Sequence, residues 1–284
     1  MEHKDLLIVG AGAAGLAAAR SAASQGCSVV LADRAPVMGG VLPQCAHHGF
    51  AAGLTGPEYL RRLTEDFPVS VDYRPNTTVL SVTKEKTALL SHRDTGLYPL
   101  SFSRLILATG CLEIPMGALP IAGTRPTGVY TAGQMQAKMN LHGHVPQGPV
   151  VILGSGDLGL IMALHLVQAQ VPIAAIVEQK PVCGGLARNR KALEPYGVPV
   201  RCGCTVREVR GMPALESVLL SDGTELPCRT LLIAAGLRPD RTLIHGLEDA
   251  PWLHMCGNCR TVHPMVEAVT EEGTQAGLAA CRNL

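Results

Sequence analysis

The stretch that most restricts what this chain can become is its first 33 residues, where an apolar run, Leu6 to Val9, meets Gly10, Gly12 and Gly15 at G-x-G-x-x-G spacing. An Ala-rich helix follows over Leu16 to Ser24, Gly26 stops it, and a second apolar strand, Ser28 to Ala32, ends in Asp33. Strand, glycine turn, helix and strand in that order make a βαβ unit, and each glycine has a physical task in it. Gly10 permits the tight turn, Gly12 lets the main chain approach a pyrophosphate, and Gly15 lets helix and strand pack closely. The helix start offers unpaired N–H groups to phosphates. Asp33 comes 23 residues after Gly10, near the roughly 20 at which an acid meets ribose hydroxyls.

The arrangement then recurs. Pro149 to Leu153 runs into Gly154, Gly156 and Gly159, with Asp157 and Leu158 opening the helix, and Ile173 to Val177 ends in Glu178, 24 residues after Gly154. Met38-Gly39-Gly40 follows the first acid and Cys183-Gly184-Gly185 the second. Each half closes on an apolar strand, one ending in Ala108-Thr109-Gly110, the other in Ala234-Ala235-Gly236. A repeat this complete implies two dinucleotide-binding units in an α/β chain. The 284 residues, 47% apolar and 17% charged, suffice for two modest globular domains. Glycines numbering 31, with only 3% aromatics, suit tight βα turns between aliphatic layers.

Composition also excludes. A formal charge of +1 with no basic cluster gives nucleic acid nothing to bind. The most apolar stretch, Val150 to Val177, is interrupted by Asp157 and carries its own glycine motif, so no membrane span is expected. Met1 to Asp5 runs straight into the first strand; no secretory leader is expected, the location is read as cytoplasmic, and the ten cysteines are expected reduced. Cys256-Gly-Asn-Cys259 has the redox C-x-x-C spacing, a weak motif alone. Cys202-x-Cys204 lacks further ligands where zinc wants four, so no metal site is read.

Between the motifs the pattern predicts a helix over Glu58 to Asp66 capped by Gly56-Pro57, and short strands over Val69 to Tyr73, Thr78 to Lys84 and Thr87 to Ser91. Ile114 to Gly128, rich in Pro and Gly, reads as a link. A helix is predicted over Thr131 to Leu141, strands over Val200 to Val209 and Leu215 to Leu220, and helical spacing from His263 to Cys281.

With both halves laid out, the chain resembles the flavoproteins with two dinucleotide-binding domains, the group of thioredoxin reductase and the pyridine nucleotide–disulfide oxidoreductases, over nearly its whole length. The resemblance implies two Rossmann-like domains, an FAD domain of residues 1–118 plus 245–284 and an inserted NAD(P)H domain of 119–244 including its linker, with no C-terminal dimerisation domain. It implies FAD contacts from Gly10, Gly12, Ala13, Ala14, Gly15, Asp33, Arg34, Gly40, Val79, Ala108, Thr109 and Gly110, and from Gly257-Asn258, where the family has Gly-Asp. Nicotinamide nucleotide contacts fall to Gly154, Gly156, Asp157, Leu158, Gly159, Glu178 and Gly236. Glu178 accepts ribose hydrogen bonds and repels a 2′-phosphate, favouring NADH over NADPH, with Lys180 and Arg188 close by in sequence as a counterweight. A narrower likeness, carried by Gly39 to Phe50, Gly123 to Gly133 and Gly154 to Ala163, is to small FAD-dependent oxidoreductases encoded beside glycerol-3-phosphate dehydrogenase-like genes. FAD-binding subunits of heteromeric amine and amino-acid dehydrogenases are similar around the last two phrases.

The same resemblance puts Cys45 on the segment where disulfide reductases carry two redox cysteines against the flavin; here only one occurs. It can form a mixed disulfide or a charge-transfer thiolate, or simply pack as a buried thiol. His47 and His48 are candidates for acid–base work near neutral pH or plain loop residues. His263, at the start of the tail helix, falls near the flavin's pyrimidine end, to bond the ring or cap the helix. Cys256 and Cys259 overlay an FAD-binding segment, which argues against a dithiol. The expected activity is hydride transfer from NADH to FAD and delivery to a small-molecule or protein acceptor. One rival is an electron-transfer subunit of a larger flavoprotein dehydrogenase. Another is a binding protein whose compressed loop, Arg241 to Met255, leaves the flavin site incomplete.

Overall fold

The computed structural model of the protein describes residues 1–51, 53–282 and 284. The chain divides into two compact units, Met1–Leu112 with Arg238–Leu284, and Glu113–Leu237.

The first unit opens with β1 (Glu2–Val9), α1 (Ala13–Ser24) and β2 (Val29–Ala32), then α2 (Gly56–Thr64), β3 (Val71–Arg74), β4 (Thr77–Val82), β5 (Thr87–His92) and β6 (Gly96–Leu107). β3, β2, β1 and β6 lie side by side and parallel. β6 is long because its two halves serve different partners. Its start, Gly96 to Ser101, pairs antiparallel with β5, and β5 with β4. There burial alternates, with Leu100 and Phe102 inward and Ser101 and Ser103 half-exposed, as in a sheet with one wet face. Its end, Leu105 to Leu107, is buried throughout, as a parallel strand covered on both faces must be. α2 is held by a capping box: Thr55 accepts from the Glu58 N–H while Glu58 accepts from the Thr55 N–H. Thr55 is therefore the cap, and Gly56-Pro57, expected to cap the helix, is its first turn.

The chain leaves through β7 (Cys111–Glu113) into the second unit: β8 (Ala122–Gly123), β9 (Val129–Thr131), α3 (Ala132–His142), β10 (Val150–Leu153), α4 (Asp157–Gln168), β11 (Ile173–Glu178), α5 (Ala187–Leu193), β12 (Val200–Cys202), β13 (Val206–Arg210), β14 (Ser217–Leu220), β15 (Glu225–Pro227) and β16 (Thr230–Ile233). β12, β11, β10, β16 and β9 form a parallel sheet, and β15, β14 and β13 an antiparallel ladder with β8 at its edge. The parallel order of the first unit is thus repeated, β12-β11-β10-β16 matching β3-β2-β1-β6, while the antiparallel ladder is here a sheet of its own. The single strand expected over Val200 to Val209 is two strands in two sheets, because Gly203 turns between them at φ +76°.

β17 (Leu237–Pro239) returns the chain, and β18 (Leu253–Met255) adds to the first sheet beside Leu105–Leu107 of β6. The intervening segment is core: Ile244, Leu247 and Trp252 are buried, with Trp252 edge-on to Phe102 at 5.5 Å. α6 (Val266–Ala280) then packs on α1. A Cβ on Gly273 would meet the Ala14 main chain and one on Gly277 the Ala18 carbonyl, so the two helices touch backbone to backbone through small residues. His263 lies three residues before this helix, not in it. The unit boundaries fall earlier than the expected 118/119 and 244/245. Glu113 accepts from Thr131 and the Gly133 N–H of α3, while Arg241 donates to the carbonyls of Cys259 and Arg260, so each segment is tied beyond those limits.

The expectation of ten reduced thiols fails at one pair. Cys27, just after α1, and Cys281, just after α6, are joined in a disulfide with Cα atoms 6.5 Å apart, because the α1–α6 packing brings the two helix ends together. Among the described residues no helix is long and apolar enough to cross a membrane.

Candidate functional site

The first glycine loop is shaped by the acid at the end of β2. Asp33 accepts from the Ala11 N–H at 2.5 Å and from the Ala35 N–H at 2.7 Å, so its two oxygens hold the loop and the strand exit in one geometry. Gly10 sits at φ +105°, and a Cβ there would strike the Ala108 carbonyl. A Cβ on Gly15 would lie 2.9 Å from the Gly10 carbonyl carbon and closer still to its oxygen, so this glycine is required for helix–strand packing. Gly12 differs: its nearest neighbour would be the Gly40 Cα at 3.9 Å, with an ordinary φ of −75°. Among the described residues nothing demands glycine there, which fits a residue kept small for a ligand. The Gly39 N–H donates to the Ala11 carbonyl at 2.8 Å, and Gly40, at φ +57°, lies against Gly12.

The later segments close on the same loop. A Cβ on Gly257 would lie 2.8 Å from that of Ala14. The Gly257 N–H donates to Glu272 at 2.9 Å, and the Glu272 carboxylate also lies 3.3 Å from Arg260 and 3.2 Å from His263 Nε2. Asn258 accepts from the His263 N–H at 3.0 Å and donates to Cys111 Sγ at 3.8 Å. Thr109 donates to the Asp240 carbonyl at 2.7 Å, fixing the turn whose Gly110 has φ +77°. Arg34 is exposed and Val79 is buried in β4. Gly10 to Gly15, Asp33, Gly40, Ala108 to Gly110 and Gly257 therefore meet at one end of the sheet, and this cradle fits a dinucleotide.

The second loop repeats the device with different atoms. Glu178 accepts from the Ser155 N–H at 2.9 Å and its hydroxyl at 2.6 Å, and from the Lys180 N–H at 2.9 Å. Ser155 stands where Ala11 stands in the first loop. Partial burial pushes the Glu178 carboxyl up, but the Ser155 hydroxyl, Lys180 N–H and Ser155 N–H outweigh it and hold the group below its ordinary value, as a ribose acceptor needs. Gly154 has φ +107°, a Cβ on Gly159 would clash with Gly154, and one on Gly156 would meet nothing within 4 Å among the described residues. Asp157 opens α4 with Leu158 half-buried behind it, and Gly236, at φ +123°, ends the turn after β16. This unit too fits a dinucleotide.

The reactive candidates are dispersed by comparison. Cys45 is buried, its thiol 3.2 Å from the Val41 carbonyl, and burial pushes it up to about 12, which favours a protonated, packing thiol over a thiolate. His47 packs on Phe50 at 5.2 Å, and His48 Nδ1 lies 2.9 Å from the Gly53 carbonyl on the surface. Cys256 and Cys259 are buried, burial raises both thiols, and the Cys259 thiol donates to the Leu107 carbonyl at 3.0 Å. Sequence reasoning missed Ser155, Glu272 and Arg241. Ser155 was findable as the middle residue of G-x-G; Glu272 acts across 15 residues and leaves no local mark.

Comparison with known proteins agrees with this geometry. The family model described as pyridine nucleotide-disulphide oxidoreductase matches residues 4–254. An opine oxidase subunit from Agrobacterium tumefaciens (strain Ach5) is 32% identical over 271 residues, covering 84% of this chain and 53% of that protein. Hydrogen cyanide synthase subunit HcnB from Pseudomonas aeruginosa is 32% identical over 288 residues, covering 87% and 61%. The chain thus spans about half the length of the first of these relatives. Thioredoxin reductase of T. acidophilum shares the fold, with a TM-score of 0.77 at 19% identity, covering 99% of this chain and 98% of that one.

Proposed function

The chain belongs to the pyridine nucleotide-disulphide oxidoreductase family, and on that premise we propose that it is an FAD-dependent oxidoreductase taking reducing equivalents from NADH. The observation that carries this reading is the duplicated latch, in which an acid at the end of the second strand of each unit grips the middle N–H of its glycine loop. FAD, when bound, supplies the two-electron chemistry, oxidising NADH and passing electrons to an acceptor. The chain's own residues bind and orient. Gly10, Gly12 and Gly15 with Asp33 hold FAD in the first unit; Gly154, Gly156 and Gly159 with Glu178 hold the nicotinamide nucleotide in the second. Glu178, kept charged, disfavours a 2′-phosphate and so selects NADH. Cys45 serves packing.

A second reading is supported by the relatives in that they are named as subunits: the chain passes electrons within a larger flavoprotein assembly, whose glycerol-3-phosphate, amine or amino-acid dehydrogenase type is what the sequence resemblance implies. Anaerobic titration of the yellow protein with NADH and NADPH tests the first reading. Stoichiometric bleaching by NADH and weak bleaching by NADPH is the expected result. A flavin band that neither nucleotide reduces sinks it and leaves the second reading, which predicts reduction through a partner dehydrogenase added with its substrate.

A further inference from the structure

The two glycine loops align residue for residue, Gly10-Ala11-Gly12-Ala13-Ala14-Gly15 against Gly154-Ser155-Gly156-Asp157-Leu158-Gly159. At two of these positions the second loop has a polar side chain where the first has a methyl group. Both polar groups reach for one segment. The Gly184 N–H donates to the Ser155 hydroxyl at 2.7 Å, and the Leu186 N–H and Asn189 side chain each donate to Asp157 Oδ1 at 2.7 Å. Arg190 then folds back onto the carbonyls of Gly184, at 3.2 Å, and Gly185, at 2.7 Å. In the first unit the matching segment is held differently. There the Gly39 N–H donates to the Ala11 main-chain carbonyl, and Gly40 rests on the Gly12 backbone.

The difference has two physical consequences. Main-chain bonds between Gly39 and Ala11 are fixed by the fold, whereas bonds to the Ser155 and Asp157 side chains can be exchanged by rotation about χ1. Asp157 is also the first residue of α4, beside the exposed Gly156. A carboxylate there offsets part of the positive helix end that a diphosphate needs. Ala13 imposes no such charge on the first loop.

We propose that Asp157 is the residue that makes the second site an exchange site, lowering its affinity for the pyrophosphate of the nucleotide and latching the Gly184–Asn189 segment through a side chain, while Ala13 leaves the first site free to retain its dinucleotide. The inference rests on the reading of the second unit as a nicotinamide nucleotide site. A retained FAD must survive every turnover, whereas a nicotinamide cosubstrate must leave in each one. Two near-identical cradles in one chain therefore need an affinity difference, and the charge at this position supplies it.

FAD-loaded wild type, D157N and D157S separate the possibilities. Asn keeps the carbonyl that accepts from Leu186 and Asn189 and removes only the charge; Ser is a second neutral replacement that also suits a helix start. The ligands are ADP-ribose, which carries the pyrophosphate, measured by calorimetry, and adenosine, which does not, measured by ligand-observed NMR. Both variants should bind ADP-ribose about three- to tenfold tighter than wild type, with adenosine unchanged and the difference narrowing as salt is raised. Neutral variants that bind ADP-ribose no more tightly, tightening of adenosine in step, or no binding of ADP-ribose to any of the three overturns the proposal. Failure of NADH to bleach the flavin, with the ADP-ribose pattern intact, rejects the NADH-oxidation reading alone.

Discussion

Alanine at the third glycine of each motif should cost stability, while alanine at the second should cost only ligand. A Cβ on Gly15 would lie 2.9 Å from the Gly10 carbonyl carbon and 3.4 Å from the Ala108 side chain, and nearer still to the Gly10 oxygen. Main chain cannot rotate away, so α1 must shift, an overpacking cost of about 1–3 kcal/mol. For units of this size that lowers the melting temperature by about 3–10 °C. Among the described residues Gly12→Ala meets only the Gly40 Cα at 3.9 Å, and Gly156→Ala meets nothing within 4 Å; both sites have φ values that alanine adopts freely. Their melting curves without ligand should stay within about 2 °C of wild type. Yet G12A should purify with its flavin band depleted and rebind FAD about tenfold more weakly or worse, since the methyl occupies the approach to the pyrophosphate. G156A should keep FAD and lose affinity for NADH to a similar degree. Calorimetric melting of the apoprotein and flavin absorbance after desalting read the two effects separately. If G12A melts as early as G15A, or holds FAD as tightly as wild type, the assignment of tasks to the glycines is wrong.

Glu178→Gln keeps an acceptor for the Ser155 N–H but removes the charge, so NADH should bind about tenfold more weakly and the preference over NADPH should shrink, both measured by equilibrium titration. Because the Glu178 carboxyl is held below its ordinary 4.5, its charged form contributes fully above that value and is lost as pH falls through the lowered one. NADH affinity should therefore be flat from neutral pH down to about 5 with respect to this group, and a fall centred between pH 6 and 7 that vanishes in E178Q would contradict the assignment. Reduction of Cys27–Cys281, or C281S, should destabilise the first unit by about 2–4 kcal/mol; C281S that melts with reduced wild type, and no further change on adding reductant to it, is the expected pattern. A chromogenic disulfide reagent at pH 7 should label exposed Cys202 in the native protein and reach Cys45 and Cys228 only on unfolding, since burial pushes both of those thiols up to about 12; native labelling of Cys45, located by peptide mass, would return it to the redox candidates.

The two glycine motifs were legible because their requirements are local. A turn at positive φ, a helix start and an acid one strand away lie within about 25 residues, and each leaves a residue type behind. β6 was read only over its last residues: Pro99 and the serines at 101 and 103 disguise a half-exposed antiparallel stretch, whereas Leu105 to Leu107, buried on both faces, stands out as an apolar run. Gly203 hid in a run rich in valine and arginine, although its positive φ splits one expected strand into two sheets. The Cys27–Cys281 bond spans 254 residues and depends on how α6 lies on α1, which no spacing along the chain encodes. Glu272 lies in α6, 15 residues beyond Gly257, yet its carboxylate accepts from the Gly257 N–H. Local pattern thus located the loops, and packing chose the side chains that secure them.

That packing makes the last segment of the chain part of the first site. Gly257 lies over Ala14, Gly273 touches the Ala14 main chain, and Arg241 ties the carbonyls of Cys259 and Arg260 to the returning strand. Thr109 in turn bonds the carbonyl of Asp240. The loop formed by the first fifteen residues is therefore framed by residues more than 225 positions later, on the far side of an inserted unit. Closing a chain over such a distance costs entropy that grows only logarithmically with its length, and an insert that folds on its own shortens the effective loop to the separation of its two ends. The insertion is tolerable because each unit closes its own chain crossings: in the second the Ile114 N–H donates to the Gly236 carbonyl at 3.1 Å, and in the first the Asp240 N–H donates to the Gly110 carbonyl at 3.0 Å.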